Sequence, residues 1–367
     1  MPVTATAAVV LAAGLDAVVG EPPARVHPVA LLGRLVARID RRDRGGADSR
    51  GPVGQWSHPR LVGVLTAGVV PLGFAAVAAA AVAAASVVSV GVGTPWLGAA
   101  VAAGVLFSTT SLRLLLDSAR AVIDESDADI DAARGDLRAL AGRDADGLGP
   151  GHVRSAAVES LAENLADGLV APLLAFAVAV AATGAFATPA SPPAQPAVSL
   201  PLVAGAGAAA WVKGVNTLDS MLGYRSNPIG WAPARLDDAV MWLPARLSAL
   251  LLAVAAGSPA TPFRPSVRAL AGRPSSPNSG WPMATMATLL PARLHKPGTY
   301  DLDPAAAGRS RAAPAAPASD APGRVRTSGS KVATTPLPDA ATAGRAVGIT
   351  RRAGALAFVV AGVIAWF

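Results

Sequence analysis

Apolar residues run through this chain in long blocks. The 52 residues from 61 to 112 contain no charge. A membrane-spanning helix takes about 20 apolar residues, so the block predicts two spans, with Gly91–Pro95 as the turn. A second charge-free block, 168–212, is interrupted by Ser191-Pro-Pro-Ala-Gln-Pro196, which predicts two more spans and a short connection. The segment 239–257 is a weaker candidate because it contains Pro244 and Arg246. The last segment, 353–367, follows Thr350-Arg351-Arg352 and is expected to be short or interfacial. Residues 3–19 are apolar except for Asp16, with no basic residue ahead of them, so they predict a retained first helix and not a cleaved signal peptide.

Composition narrows the class. Of 367 residues, 52% are hydrophobic and only 15% are charged, and Cys is absent. Soluble domains carry about 25% charged residues, so these charges are too few to cover a water-facing surface. Ordinary soluble, disordered and fibrous classes are therefore poor fits, and the absence of Cys excludes disulfides and thiolate metal sites. The expected fold class is all-α, a multi-pass transmembrane helical protein of about five to six spans with cytoplasmic amphipathic helices.

Loop 20–60 carries eight Arg against four acids, 113–167 carries six Arg against twelve acids, and 186–200 carries no charge. The Lys/Arg bias places 20–60, 113–167 and 213–246 in the cytoplasm. The chain then divides into a membrane-embedded domain 1–303, a disordered Ala/Pro-rich insertion 304–333, and a C-terminal segment 334–367 ending in a hydrophobic helix. The basic residues of the insertion read as a solubilising linker, and no nucleic-acid partner is expected.

Four polar stretches lie between the apolar blocks. No P-loop, dinucleotide fingerprint or H-E-x-x-H is present. The first stretch runs from Asp16 through Glu21-Pro22-Pro23, Arg25 and His27-Pro28 to Arg34. Pro28 opens a helix through Arg38, and an acid, an Arg and a His at the membrane surface suit a phosphate or carboxylate. The second holds Arg113, Asp117, Arg120 and Asp124 at helical spacing, then Asp127, Asp129 and Asp131 as a solvated acidic helix start. Asp136 is expected to begin another short helix. In the third, Glu159, Glu163 and Asp167 are four apart and form one stripe on a helix that runs into an apolar span. Like charges at that spacing repel, which points to a bound cation or an Arg partner. The fourth contains Lys213, Asn216 and Asp219 three apart, with Asp237-Asp238 beyond. Ser276-Pro277-Asn278-Ser279-Gly280-Trp281-Pro282 forms a turn that caps the apolar helix after it or receives an anion at its N-terminus.

In order and combination, these stretches resemble the CobD/CbiB family of membrane-bound cobalamin biosynthesis proteins, adenosylcobinamide-phosphate synthase. The resemblance spans about 16–302. It rests on Asp16–Arg34, Asp117-Ser-Ala-Arg120, Arg154-Ser through Asp167-Gly168, Lys213 through Tyr224, and Ser276–Pro282. Two departures are visible: Gly272-Arg273-Pro274-Ser275 lacks a His common before the Ser-Pro-Asn turn, and the insertion breaks the C-terminal pattern.

The resemblance implies an amide-forming ligase at the cell membrane. It would join the propionate of adenosylcobyric acid, a cobalt corrinoid, to (R)-1-aminopropan-2-ol or its O-phosphate, driven by ATP with Mg²⁺. Association with other corrinoid-pathway enzymes and contact with membrane lipid are expected. For that chemistry Glu159, Glu163, Asp167 and Asp219 are the expected metal ligands. Arg25, Arg120, Arg154, Lys213, Ser276 and Asn278 are the expected phosphate or nucleotide contacts. His27, Glu163, Asn216 and Asp219 are the expected catalytic groups, His27 contacting the amine substrate's phosphate or deprotonating its amine. The rival readings are a Mg²⁺-dependent membrane prenyl or phosphatidyl transferase, a transporter, and a non-catalytic assembly component.

Overall fold

Helices account for nearly all regular structure in the computed structural model. It describes residues 2–23, 25–39, 57–94, 96–142, 144–185, 198–224, 227–309 and 334–367. In chain order the helices are α1 (Pro2–Val19), α2 (Pro28–Ile39), α3 (Pro59–Gly91), α4 (Trp96–Thr109), α5 (Arg113–Glu125), α6 (Ile130–Ala141), α7 (Pro150–Leu165) and α8 (Ala171–Ala185). They continue with α9 (Leu200–Leu222), α10 (Trp231–Val240), α11 (Trp242–Ala255), α12 (Pro265–Ala271) and α13 (Gly280–Leu289). A small antiparallel hairpin, β1 (Leu294–Lys296) and β2 (Tyr300–Leu302), precedes α14 (Pro304–Arg309) and α15 (Ala340–Ile364).

Among the described residues, four helical runs are long and apolar enough to cross a membrane: Pro59–Gly91, Trp96–Glu125, Pro150–Ala185 and Ala340–Ile364. The pair α10–α11, bent by 48°, brings the number to five if it crosses as one span. The chain is therefore an all-α, multi-pass protein of the cell membrane.

Of the turn expected at 91–95, the described residues 91–94 form a turn. Val92 N–H closes on Val88 O, and Gly93 adopts φ +68°, the left-handed geometry that ends a helix. The connection expected at 191–196 and the bulk of the insertion, 310–333, lie outside the described residues. The insertion's first residues instead form α14.

Two helix limits differ from expectation. The terminal helix does not begin after Arg351-Arg352 but runs through them from Ala340. Arg and Ala are good helix formers, and both arginines are exposed, so the charge pair marks no break. Asp136 does not open a helix either. The start belongs to Asp129, whose carboxylate accepts the N–H groups of Asp131 and Ala132.

The chain forms two compact units. One comprises Met1–Leu115, Asn164–Ser248 and Arg351–Phe367. Its centre is α9, which packs on α2, α3, α4, α8 and α10. Small residues make these approaches close. Ala206, Ala209 and Ala210 are fully buried, Gly205 meets Phe176 and Val180 of α8, and Gly214 meets Pro71 of α3. Apolar attraction between helices is weak in lipid, so such close contact supplies the packing energy.

The other unit comprises Leu116–Glu163 and Ala249–Thr350. There α12, α13 and α14 pack together, and the hairpin joins α13 through β2. Leu137, Leu161, Leu270, Met286, Leu294 and Leu302 are buried in this unit.

Within the first unit, a β-carbon placed on Gly63 of α3 would overlap the Ile229 carbonyl, whereas one placed on Gly68 meets nothing within 4 Å. Gly63→Ala is therefore expected to lower the thermal unfolding midpoint in detergent. Gly68→Ala is expected to leave it unchanged or raise it, in line with the helix preference of about 1 kcal/mol for Ala over Gly.

Candidate functional site

The site in the first unit is built around a helix break. Helix α4 ends at Thr109 and α5 starts at Arg113, freeing the N–H groups between them. Asp16 on α1 is buried, and its carboxylate accepts Leu112 N–H at 2.9 Å through Oδ1 and Arg113 N–H at 3.1 Å through Oδ2. The Arg113 guanidinium donates in return to Ala17 O at 2.9 Å and Val18 O at 2.8 Å, the carbonyl end of α1. Negative charge thus meets one helix's N-terminus and positive charge meets another's C-terminus.

Asp16, costly in an apolar run without a partner, is therefore a helix cap. Ser111 N–H donates to Gly168 O at 3.0 Å. Gly168 lies in a π-helical turn, Ala166–Val170, between α7 and α8. Such turns widen a helix and recur at functional sites.

Beside the break is a cavity of about 320 Å³ lined by Glu21, Pro22, His27, Val29, Ala30, Ser108–Ser111 and Lys213. Its groups divide by hydrogen-bond sense. Ser108, Thr109 and Thr110 donate their hydroxyl protons to Val105 O and Leu106 O, each at 2.9 Å. Their oxygens are left to accept. Lys213, half-buried on α9, is a donor and lies in the fields of Asp167 and Glu21.

His27 precedes α2, and its Nδ1 accepts Val29 N–H at 3.1 Å. In the neutral ring the proton then sits on Nε2, 3.9 Å from Glu21 Oε2. Neutral His27 therefore presents a donor at Nε2. Burial first, and the Lys213 charge second, lower the His27 pKa. Burial raises that of Glu21, against the pull of Lys213.

The sequence-expected residues separate into distinct settings. Lys213, Asp167 and His27 belong to the pocket region. Asp219, on α9, is electrostatically coupled to Asp238 on α10. Asn216 is on α9 one turn before Asp219, and its carbonyl accepts the Ser220 hydroxyl at 2.9 Å. Arg25 is exposed, and its carbonyl accepts from Arg34.

In the other unit, Arg120 pairs with Asp117 at 2.8 Å on an exposed face of α5. Arg154 is buried and donates to Asp127 (2.7 Å), Ser126 Oγ (3.0 Å) and Pro338 O (2.9 Å). This ties α7 to the α5–α6 linker and to the segment before α15.

Glu159 is also buried. Its two carboxylate oxygens accept from Ser155 at 2.9 Å and Tyr300 at 2.7 Å. Ser155 Oγ accepts His295 N–H, and His152 Nε2 meets His295 Nδ1 at 3.0 Å, which pins the hairpin to α7. Ser276 Oγ accepts the N–H groups of Asn278 and Ser279, so it organises the turn before α13, where Asn278 is buried. Glu163 is half-buried at the end of α7.

Among the described residues, no group of three or more His, Asp or Glu side chains is gathered closely enough to hold a metal ion. The expected set Glu159, Glu163, Asp167 and Asp219 is thus not one cluster. Mg²⁺ commonly takes one or two carboxylates and completes its shell with phosphates and water. The pair Asp219 and Asp238 suits that arrangement.

Sequence reading missed the pocket wall Ser108-Thr109-Thr110-Ser111. Four hydroxyl residues in a row at the end of a charge-free block were its visible signal.

Fold and site together define a multi-pass membrane protein with a polar pocket at a helix break. Residues 9–322 match the family model described as CobD/Cbib protein. The chain is 33% identical over 296 residues to the probable cobalamin biosynthesis protein CobD of Methanothrix thermoacetophila, covering 80% of this chain and 84% of that one. It is 36% identical over 303 residues to the cobalamin biosynthesis protein CobD of Klebsiella pneumoniae subsp. pneumoniae, covering 78% and 81%. The similarly named protein of Rhodobacter capsulatus is 33% identical, covering 80% and 83%. No solved structure matches significantly. The chain belongs to the CobD/CbiB family, and its role is a CobD/CbiB-type one in cobalamin biosynthesis.

The lowered pKa of His27 has a signed consequence. An unfolded His takes up its proton near pH 6.5, but folded His27 resists until lower pH. The unfolded state binds more protons in that window, so His27 removes stability as pH falls below about 6.5. Glu21, with its raised pKa, acts in the opposite sense. The difference in unfolding midpoint between wild type and His27→Gln is therefore expected to move against wild type between pH 7.5 and 5.5, read by thermal unfolding in detergent.

Proposed function

We propose that the protein catalyses ATP-dependent amide formation between the propionate carboxylate of adenosylcobyric acid and (R)-1-aminopropan-2-ol or its O-phosphate, giving adenosylcobinamide or its phosphate. The observation that carries this reading is the pocket's split character. Acceptor oxygens of Ser108, Thr109 and Thr110 with Glu21 suit an ammonium group, and Lys213 with His27 Nε2–H suits a phosphate. A small amino alcohol phosphate carries both.

A carboxylate is a poor electrophile. ATP would pass its γ-phosphoryl group to the carboxylate, releasing ADP, and the C–O bond of the resulting acyl phosphate would break as the amine nitrogen forms the amide; inorganic phosphate leaves and the amine's proton passes to solvent or a base. The protein's contribution is positioning and charge. Lys213 neutralises phosphate oxygens, and Glu21 and the hydroxyl oxygens hold the amine. Asp219 and Asp238 would hold Mg²⁺ with the nucleotide phosphates.

Purified protein given adenosylcobyric acid, ATP, Mg²⁺ and aminopropanol phosphate is expected to form the amide, detected by mass. Lys213→Gln is expected to reduce the rate by about 10²–10³-fold, the scale for loss of one charge-stabilising donor. No amide from folded wild-type protein would overturn the reading. Full activity of Lys213→Gln would remove the pocket from it.

A further inference from the structure

The bent pair α10–α11 carries a regular exposed stripe. Trp231, Arg235, Ala239 and Trp242 are exposed, and Arg246 follows one turn on. Trp231, Arg235 and Ala239 recur every four residues along α10, and Trp242 and Arg246 are four apart on α11, so each set shares one face of its own helix. Trp231 and Trp242 are 54% and 57% exposed, and Leu243 beside them is 52% exposed. The Arg246 guanidinium lies 4.7 Å from the Trp242 ring centroid and donates to the Trp242 carbonyl at 2.8 Å. Elsewhere on the pair, Pro233 and Met241 are buried, and Asp238 is coupled to Asp219 of α9.

Hydropathy alone admits this pair as a fifth span. Three observations oppose that. Arg235, Asp237, Asp238 and Arg246 all lie within six positions of Met241, the middle of the pair, where a crossing segment would hold them in the hydrocarbon layer. Much of its apolar character comes from Ala249, Leu251, Leu252 and Ala253, which are buried in protein and offer lipid little surface, and of its large aliphatic side chains Leu243 and Val254 are exposed. The surface on offer is Trp alternating with Arg, the pairing that sits at headgroup level, where the ring meets the acyl boundary and the guanidinium meets phosphate.

We propose that α10–α11 lies along the membrane surface, with the Trp231–Arg246 stripe seated in the headgroup layer of an anionic phospholipid bilayer, and that the chain enters and leaves this pair on the same side. The 48° bend lets two short helices follow the interface without carrying the charges into the core.

The chain has no Cys, so each introduced thiol is the sole reporter. Ser220→Cys, Ala239→Cys and Ala260→Cys replace exposed residues. Each full-length variant is treated with a membrane-impermeant maleimide in sealed, oriented native vesicles and after reconstitution into vesicles of phosphatidylglycerol and phosphatidylethanolamine. The expected result is labelling of all three from one and the same side in both preparations. Labelling of Ser220→Cys and Ala260→Cys from opposite sides would overturn the proposal, because the pair would then cross. Protection of Ala239→Cys from both sides in both preparations would place it in the hydrocarbon core and also overturn it. Protection only in native vesicles would show a protein partner on the stripe, again against the proposal. Labelling is scored on protein that elutes as a single folded species, so a misfolded variant is not counted. The amide-forming activity plays no part in this readout.

Discussion

A helix that breaks in an apolar setting must find partners for the backbone groups it releases, because lipid supplies none. That constraint governs the pocket of this CobD/CbiB-family protein. Between α4 and α5, the Leu112 and Arg113 N–H groups go to the Asp16 carboxylate and the Ser111 N–H goes to Gly168 O. The hydroxyls of Thr109 and Thr110 turn back onto Leu106 O. Asp16 is held in turn because Arg113 closes on the end of α1. Loss of the Asp16 carboxylate would leave buried donors unmet and release the wall that carries Ser108–Ser111. The positions of α1, the break and the π-helical turn are linked through this one carboxylate and the backbone bond beside it.

The same wall explains why the pocket's polarity is so sharply divided. Each hydroxyl that gives its proton to a helical carbonyl can only accept from a ligand. Donor character must then come from elsewhere, and it comes from Lys213 and His27. Lys213 reaches its position because α9 is lined with Gly and Ala and packs closely on α3 and α8. The small residues that gave the chain its monotonous Ala/Gly composition therefore place the cation beside Asp167 and Glu21. Composition and site are joined by packing distance.

Much of this was legible in sequence. The apolar blocks, the turn near Gly93, the helix opened by Pro28 and the family resemblance all follow from spacing and residue type. The extent of α15 was not, because Arg351-Arg352 resembles a span boundary while being fully compatible with a helix that carries charge on its exposed side. The partner of Asp16 was illegible too. It lies 96 residues away and is a backbone N–H, which no side-chain pattern announces. The partners of Arg154 were hidden for a related reason: two of its acceptors, Ser126 Oγ and Pro338 O, are unremarkable in sequence.

The acidic stripe shows how a periodic pattern conceals separate surroundings. Glu159, Glu163 and Asp167 share one helical face by count, and mutual repulsion argues that each needs compensation. A single bound cation is the economical answer if all three remain equivalent. The structure compensates them differently. Glu159 is buried against Ser155 and Tyr300, where it fastens the hairpin. Asp167 falls in the π-helical turn, in the field of Lys213. A π-helical turn inserts extra backbone and rotates the next helical segment relative to the preceding one, so periodicity counted through residues 166–170 no longer reports one face. The break in periodicity lies at Asp167, so the two acids stand in different surroundings, Glu159 against Ser155 and Tyr300 and Asp167 in the field of Lys213.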